Sequence, residues 1–106
     1  MTYTQSKGAD CTITCESNIE RQAIATYGKE NQLIVAIEEL SELQKELCKA
    51  LRNKANIEHI VEEMADVDII FNQLKIIFEI GENEIEANKR YKLNRLRDRI
   101  NKCNYF

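Results

Sequence analysis

Apolar residues recur at steps of three and four positions over two long segments, the spacing of one face of an α-helix. The segments span residues 29–52 and 57–79, and each is expected to bury one apolar stripe. The stripe of the first long helix comprises Leu33, Ile37, Leu40, Leu43 or Gln44, Leu47 and Leu51. The stripe of the second comprises Ile60, Met64, Val67, Phe71, Leu74 and Phe78.

A shorter helix is predicted to precede this pair. Ser17 and Glu20 have the spacing of a capping box, in which each side chain satisfies a free backbone amide at a helix start. The helix is expected to run from Ser17 to Tyr27, and Gly28 is expected to end it in the left-handed conformation. Residues 1–16 are polar and lack a helical period, which predicts a flexible arm.

A fourth helix is predicted after the pair. Asn56 is expected to cap the start of the third helix, and Gly81 is expected to end that helix. Asn83 is expected to cap the start of a last helix over residues 84–101. Short connections make successive helices antiparallel neighbours. The predicted fold is all-α: an antiparallel four-helix bundle of one short and three long helices over residues 17–102, with 103–106 as a tail.

The composition supports this prediction. The chain has 106 residues, enough for one domain, with no proline and three glycines. Its four cysteines form no CxxC pair, so no zinc site is expected. No signal-peptide pattern precedes them, so we expect reduced thiols in a cytoplasmic protein. The longest apolar run is too short to span a bilayer, so no membrane partner is expected.

Charge is distributed unevenly along the chain. Residues 87–102 contain seven Lys/Arg and one acid, a net charge of +6, so the remainder sums to −9 within a total of −3. An acidic body with a basic last helix suits an anionic ligand that brings a cation, although a solvated helix face has the same pattern. The negative total argues against a protein that coats nucleic acid.

Two acidic motifs lie on the two long helices. Residues 38–42 have the form EExxE, and residues 63–66 have the form ExxD. Twenty residues, 43–62, separate Glu42 from Glu63. That length allows one helix to end, the chain to turn, and the next helix to run back beside the first. The motifs are therefore expected to face each other. Because Glu-rich helices also carry acids for solubility, the prediction depends on the paired motifs and not on any single acid.

Helical phase sorts the acids, because each residue turns a helix by about 100°. On the third helix, Glu63 and Asp66 fall beside the apolar stripe, in line with Ile70 and Ile77, and Glu62 points away.

On the second helix, Glu39 flanks the stripe, Glu42 lies further round on the same side, and Glu38 points roughly opposite. Glu38 and Glu62 are therefore interpreted as solvent-facing or outer groups. The inward set comprises Glu39, Glu42, Glu63 and Asp66.

Four converging carboxylates repel one another unless a cation compensates them. The pattern supplies no matching internal Lys or Arg, and oxygen ligands suit the hard ions Mg²⁺ or Mn²⁺. A di-iron bundle would show Glu-x-x-His pairs. The only histidine is His59, and Asn56 stands three positions before it, so that motif is absent.

These motifs resemble the MazG-like family of all-α nucleoside triphosphate pyrophosphohydrolases, over residues 17–100. The chain is similar to small, single-domain members from low-GC Gram-positive bacteria and their phages. The matching stretches are Tyr27-Gly28-Lys-Glu-Asn-Gln32, Glu38-Glu39-Leu-Ser-Glu42-Leu, Glu62-Glu63-Met-Ala-Asp66-Val and the basic stretch Lys92-Leu-Asn-Arg95-Leu-Arg-Asp-Arg99-Ile.

The resemblance implies Mg²⁺-dependent hydrolysis of a nucleoside triphosphate to the monophosphate and pyrophosphate, with Mn²⁺ as an alternative ion. The metal ligands would be Glu39, Glu42, Glu63 and Asp66. Either Glu38 or Glu42 would position the attacking water or accept its proton. The cations of the last helix that would hold the triphosphate are Lys89, Lys92 and Arg95.

The family usually forms dimers or tetramers, with the nucleotide near a subunit interface. The third helix is apolar around much of its girth, which independently favours a homo-oligomer. Some members stack the base on tryptophans, which this chain lacks. Tyr27, Tyr91 or Phe71 would substitute, and the preferred base and sugar are left open.

Two other functions fit the same pattern. The scaffold could serve as a catalytically silent helical interaction or regulatory protein, or as a metal-binding helical bundle without a nucleotide. Thermal stabilisation by Mg²⁺ separates a working site from a silent scaffold, because a ligand that binds only the native state stabilises it.

Overall fold

The computed structural model describes residues 9–103, with side chains described from Ser17 onward, and it is helical almost throughout. The four helices are α1 (Ala9–Tyr27), α2 (Lys29–Leu51), α3 (Ile57–Phe78) and α4 (Glu82–Cys103). The all-helical prediction is therefore confirmed for this part of the chain. Residues 1–8 of the predicted 1–16 arm and the last three residues of the tail lie outside the described part of the chain.

The start of α1 differs from the sequence prediction. The helix begins at Ala9 and passes through Ser17, so the predicted capping box at Ser17 and Glu20 is wrong. No proline or glycine interrupts residues 9–16, so the backbone can remain helical there despite the absence of an apolar period. Glu20 instead accepts a hydrogen bond from Asn72 Nδ2 at 3.1 Å, which ties α1 to α3.

Single-residue signals account for the junctions on either side of α2. Gly28 has φ 90° and ψ 152°, a positive φ that glycine adopts readily, but its ψ is extended and not left-handed helical. Its single-residue break separates α1 from α2. Asn56 caps α3 as predicted, because its side-chain oxygen accepts a hydrogen bond from the His59 amide at 3.1 Å.

The junction between α3 and α4 differs from the prediction. The left-handed residue is Glu79, with φ 54° and ψ 46°, and not Gly81. Asn83 lies inside α4, which begins at Glu82. The Glu84 carboxylate reaches back to the Gly81 amide at 3.2 Å, which is the acidic half of a capping box and makes an Asn83 cap unnecessary.

The core lies where α2 packs against α3 and where α1 contacts both. Its buried apolar residues are Ala36, Val67, Ile70 and Ile77. A polar pair crosses the same interface, because Gln32 Nε2 donates to Gln73 Oε1 at 2.7 Å and both side chains are buried. None of the described helices is apolar enough over a sufficient length to cross a membrane.

The predicted apolar stripes are mostly not the buried faces of α2 and α3 in the single chain. On α2, Ile37 is 65% exposed and Leu51 is 86% exposed. On α3, Phe71 and Phe78 are at least half exposed, although Val67 of the same stripe is buried. Each helix packs through a face turned roughly a quarter circle from its stripe. The physical reason is that periodicity marks an apolar face without indicating what covers it.

The last helix stands apart from the others. Within the described residues α4 does not pack against α1, α2 or α3, and none of its side chains is fully buried. Beyond the local hydrogen bond from the Gly81 amide to Glu84, an ion pair between Lys75 and Glu82 at 2.9 Å links α4 to α3.

Candidate metal centre

Three carboxylates converge where α2 and α3 meet. One oxygen from each of Glu39, Glu63 and Asp66 lies within 4.8 Å of the others, close enough to share one metal ion. Glu39 comes from α2, and Glu63 and Asp66 come from one side of α3, one turn apart. All three side chains are half-buried.

The packing face of α3 explains why these acids point inward. Ile70 and Ile77 are buried, and Glu63 and Asp66 continue the same line of residues toward the start of the helix. The sequence-based alignment of Glu63 and Asp66 with these two isoleucines agrees with the structure. Because Ile70 and Ile77 pack into the core, the side of α3 that carries Glu63 and Asp66 also faces α2.

The electrostatics of the cluster are unfavourable for carboxylate charge. Partial burial raises the pKa of Glu39, and the charges of Asp66, Glu63 and Glu42 together with a hydrogen bond to Asp66 raise it further. Burial also raises the pKa of Glu63, with contributions from Asp66, Glu42, Glu46 and Glu62. Each neighbouring carboxylate disfavours another negative charge.

No cation of the described residues neutralises these charges. The ion pairs between residues 17 and 103 involve Glu46, Glu82 and Glu86, and none involves the three clustered acids. One oxygen of Glu63 is buried without a hydrogen-bond partner in this part of the chain. An all-oxygen set of this kind fits a hard divalent ion such as Mg²⁺ or Mn²⁺.

The remaining predicted acids lie outside this three-residue group. Glu42 is exposed and outside the three-residue group, but its charge acts on both Glu39 and Glu63. Glu38 and Glu62 are exposed. A groove beside Glu38 is lined by Tyr27, Asn31, Gln32, Ile34 and Val35.

The three predicted phosphate-binding cations lie on α4, which does not pack against the helices of the cluster. Lys89, Lys92 and Arg95 are exposed, so one chain does not bring them to the carboxylates. Lys89 lies 3.8 Å from Glu86, and the Arg95 guanidinium lies 5.6 Å from the centre of the Tyr91 ring.

Sequence reasoning missed Glu46, which is buried on α2. It stands seven residues after Glu39, so helical phase places both on one face. That spacing was readable in the sequence, but Glu46 belongs to neither acidic motif. Comparison with protein-family models, curated proteins and solved structures gives no match to this chain.

Proposed function

We propose that this protein hydrolyses a (deoxy)nucleoside triphosphate to the monophosphate and pyrophosphate in the presence of Mg²⁺, or of Mn²⁺. The convergence of Glu39, Glu63 and Asp66 on one position is the observation that carries this proposal. The second support is the resemblance of the two acidic motifs to those of the MazG-like pyrophosphohydrolases.

The carboxylates have distinct roles in this proposal. Glu39, Glu63 and Asp66 hold the ion, and Glu42 joins them from the adjacent turn of α2. An ion held by these carboxylates would supply charge neutralisation at phosphate oxygens and would activate water for attack at phosphorus. Glu42 or Glu38 positions the attacking water or accepts its proton, because both belong to the EExxE motif that supplies Glu39 and both are exposed to solvent.

The substrate is placed by groups outside the cluster. Lys89, Lys92 and Arg95 bind the triphosphate oxygens, for which a row of cations on one helix is suited. Tyr27 lies in the groove that reaches Glu38, which favours it over Tyr91 and Phe71 as the residue that stacks on the base.

The proposed working form is a homodimer or homotetramer of antiparallel bundles. Leu93, Leu96 and Ile100 of α4 are about half exposed, as are Met64 and Phe71 of α3. A helix with an uncovered apolar face requires a partner. A second copy that covers these faces also offers a route for α4 to bring its cations near the carboxylates of a neighbouring subunit.

A pyrophosphate-release assay over all ribo- and deoxynucleoside triphosphates tests the proposal. With Mg²⁺ we expect release from at least one nucleotide, and a loss of about 100-fold or more in Glu63→Gln. Glu58→Gln is the control, because it removes the same charge from an exposed position on the same helix. Release from no nucleotide would contradict the activity, and full activity in Glu63→Gln would contradict the site.

The unpacked α4 and the exposed apolar faces also favour a second function, that of a helical interaction protein without catalysis. The two differ in their response to metal. The enzyme gains thermal stability from Mg²⁺ through linkage, whereas a silent scaffold does not. A metal-binding bundle without a nucleotide would gain stability but release no pyrophosphate.

A further inference from the structure

A cleft between α1 and the last turns of α3 belongs to no part of the proposed catalytic site. Its volume is about 450 Å³, within the range of about 300–1,000 Å³ that small-molecule sites occupy. Asn72 and Glu79 line this cleft. Helical phase places them roughly opposite the side of α3 that carries Glu63 and Asp66. The cleft is therefore separate from the carboxylate cluster.

The walls of the cleft carry charges of both signs that are not paired with one another. Arg21 of α1 and Glu79 at the end of α3 both line it. The ion pairs of the described residues include neither side chain, so the two charged groups lie more than 4.0 Å apart. Lys75, the other cation of the cleft, is paired with Glu82 at 2.9 Å. Within this part of the chain, one cation and one carboxylate therefore remain available to a ligand between them.

Glu20 adds a buried carboxylate to the same wall. It is 7% exposed, and its Oε2 accepts a hydrogen bond from Asn72 Nδ2 at 3.1 Å. No donor among the described residues reaches its Oε1, and the sealed unpartnered oxygens of this part of the chain are those of Glu46 and Glu63. The Oε1 of Glu20 therefore keeps access to the cleft. A buried carboxylate is costly unless each oxygen has a partner, so this oxygen favours an N–H group of a ligand.

The ends of the cleft differ in charge. The last turn of a helix carries partial negative charge, which favours a cation. Because Glu79 directly follows α3, this end suits an ammonium group. Arg21, with Ser17 one turn before it on α1, suits a carboxylate at the other end. Ile76 and Ile80 supply an apolar surface in the same cleft.

We propose that this cleft binds a free α-amino acid with an apolar side chain. The carboxylate of the ligand pairs with Arg21, its ammonium group with Glu79 and Oε1 of Glu20, and its side chain lies on the two isoleucines. A simple anion such as phosphate is disfavoured, because it would face two carboxylates as well as the guanidinium. The site needs no metal and does not rest on the proposed pyrophosphohydrolase activity.

Amide chemical shifts of the isotope-labelled full-length protein, recorded in EDTA, test this proposal. The probes are L-leucine, L-isoleucine, L-methionine and L-phenylalanine. At least one should give saturable shift changes at residues 17–21 and 72–80, with a dissociation constant in the millimolar range or below. Its N-acetyl derivative lacks the ammonium group and its carboxamide lacks the carboxylate. Each should bind at least about tenfold more weakly, because each leaves a charged group of the cleft without its partner.

Two charge-neutral variants assign the ends of the ligand. Arg21→Gln should weaken binding of the free amino acid at least about tenfold and change binding of the carboxamide less than about threefold. Glu79→Gln should weaken binding of the free amino acid similarly and leave the N-acetyl derivative unaffected. Both positions are exposed, so both variants should fold, which their melting temperatures check. Arg52→Gln, at the exposed C-cap of α2, is the matched control and should bind like the wild type.

Three results would overturn the proposal. The first is the absence of saturable shifts at the cleft with all four probes. The second is equal binding of the free and blocked forms, which would indicate apolar contact alone. The third is an equal loss in Arg21→Gln and Arg52→Gln, which would show that net charge and not the cleft governs binding. None of them bears on the metal centre, because the titrations contain no divalent ion and pyrophosphate release is measured separately.

Discussion

Individual carboxylates at the α2–α3 interface are held where their charge is unfavourable. Glu39 and Glu63 lie beside Asp66, partly buried, and the pKa of each is raised above the usual 4.5. The sequence indicated these three acids through motif spacing and helical phase. It did not indicate Glu46, because burial of one more acid on α2 depends on how far α2 and α3 overlap.

The raised pKa values predict an unusual pH dependence of stability. In the folded state Glu63 loses its proton at higher pH than in the unfolded chain, so its contribution is present at low pH and is lost as the pH rises through the raised value. Glu63→Gln remains neutral throughout. Without divalent ions, the melting temperature of Glu63→Gln relative to wild type should therefore increase from about pH 4 to about pH 8.

Adding Mg²⁺ should reverse this pH trend in the melting temperature of Glu63→Gln relative to wild type. Protons and the ion compete for the same carboxylates, so the Mg²⁺-dependent gain in melting temperature should grow with pH in the wild type. Glu63→Gln should show little gain. Thermal melts in EDTA and in Mg²⁺ over this pH range check both expectations. Parallel curves for the two proteins in both buffers would show that Glu63 does not couple folding to protons or metal.

For the individual helices, apolar periodicity and capping residues predicted the ends of α2 and α3 to within one residue. They did not predict how the two helices pack. Asn56 at the start of α3 acts as the sequence indicated. Gln32 and Gln73 were not identified, although they form a buried hydrogen bond of 2.7 Å across the interface. A glutamine has no burial signal of its own, because its inward position requires a matching partner on another helix.

This buried pair predicts a strong coupling between the two helices. Gln32→Leu alone should destabilise the protein by about 1–3 kcal/mol, because it leaves the Gln73 amide without its described partner. Gln32→Leu combined with Gln73→Leu should recover most of that loss. Urea unfolding of the singles and the double measures the coupling energy, with Gln44→Leu as an exposed control on α2. Purely additive losses would contradict the coupling.

The whole molecule is extended for its size. Its radius of gyration is 18.0 Å, against about 13 Å for a compact domain of this length. Its accessible surface of 8651 Å² exceeds the roughly 6,100 Å² expected of a compact monomer. A standard interface buries about 800 Å² per partner, so the excess suffices for a stable assembly.

Substitutions on α4 are expected to dissociate the proposed oligomer. Leu93→Glu with Leu96→Glu places two charges in the exposed apolar face and should give a monomer by light scattering, where the wild type is larger. Asn94→Glu with Asn101→Glu adds the same charges about a third of a turn away from this face and should leave the mass unchanged. A monomeric wild type, or equal effects of the two variants, would exclude assembly through α4.

Mixing two variants shows what α4 contacts. Phe71→Glu alters the exposed face of α3 and should also give a monomer. If α4 of one subunit covers α3 of another, this variant mixed with the α4 variant retains one intact contact and should form a heterodimer. If like surfaces pair with like, the mixture should stay monomeric.

The sequence by itself determined that the described chain is helical and where α2 and α3 begin and end, because helix formation and capping depend on residues within one or two turns of each other. It also determined that Glu63 and Asp66 share a side of α3 with Ile70 and Ile77. It did not determine where α1 begins. Only the tertiary structure decided which faces of α2 and α3 meet. That packing buries Glu46 and leaves most residues of the predicted apolar stripes of α2 and α3 exposed. Periodicity shows that a helix has an apolar face, but what covers that face depends on the other helices and, in the proposed assembly, on a second copy of the chain.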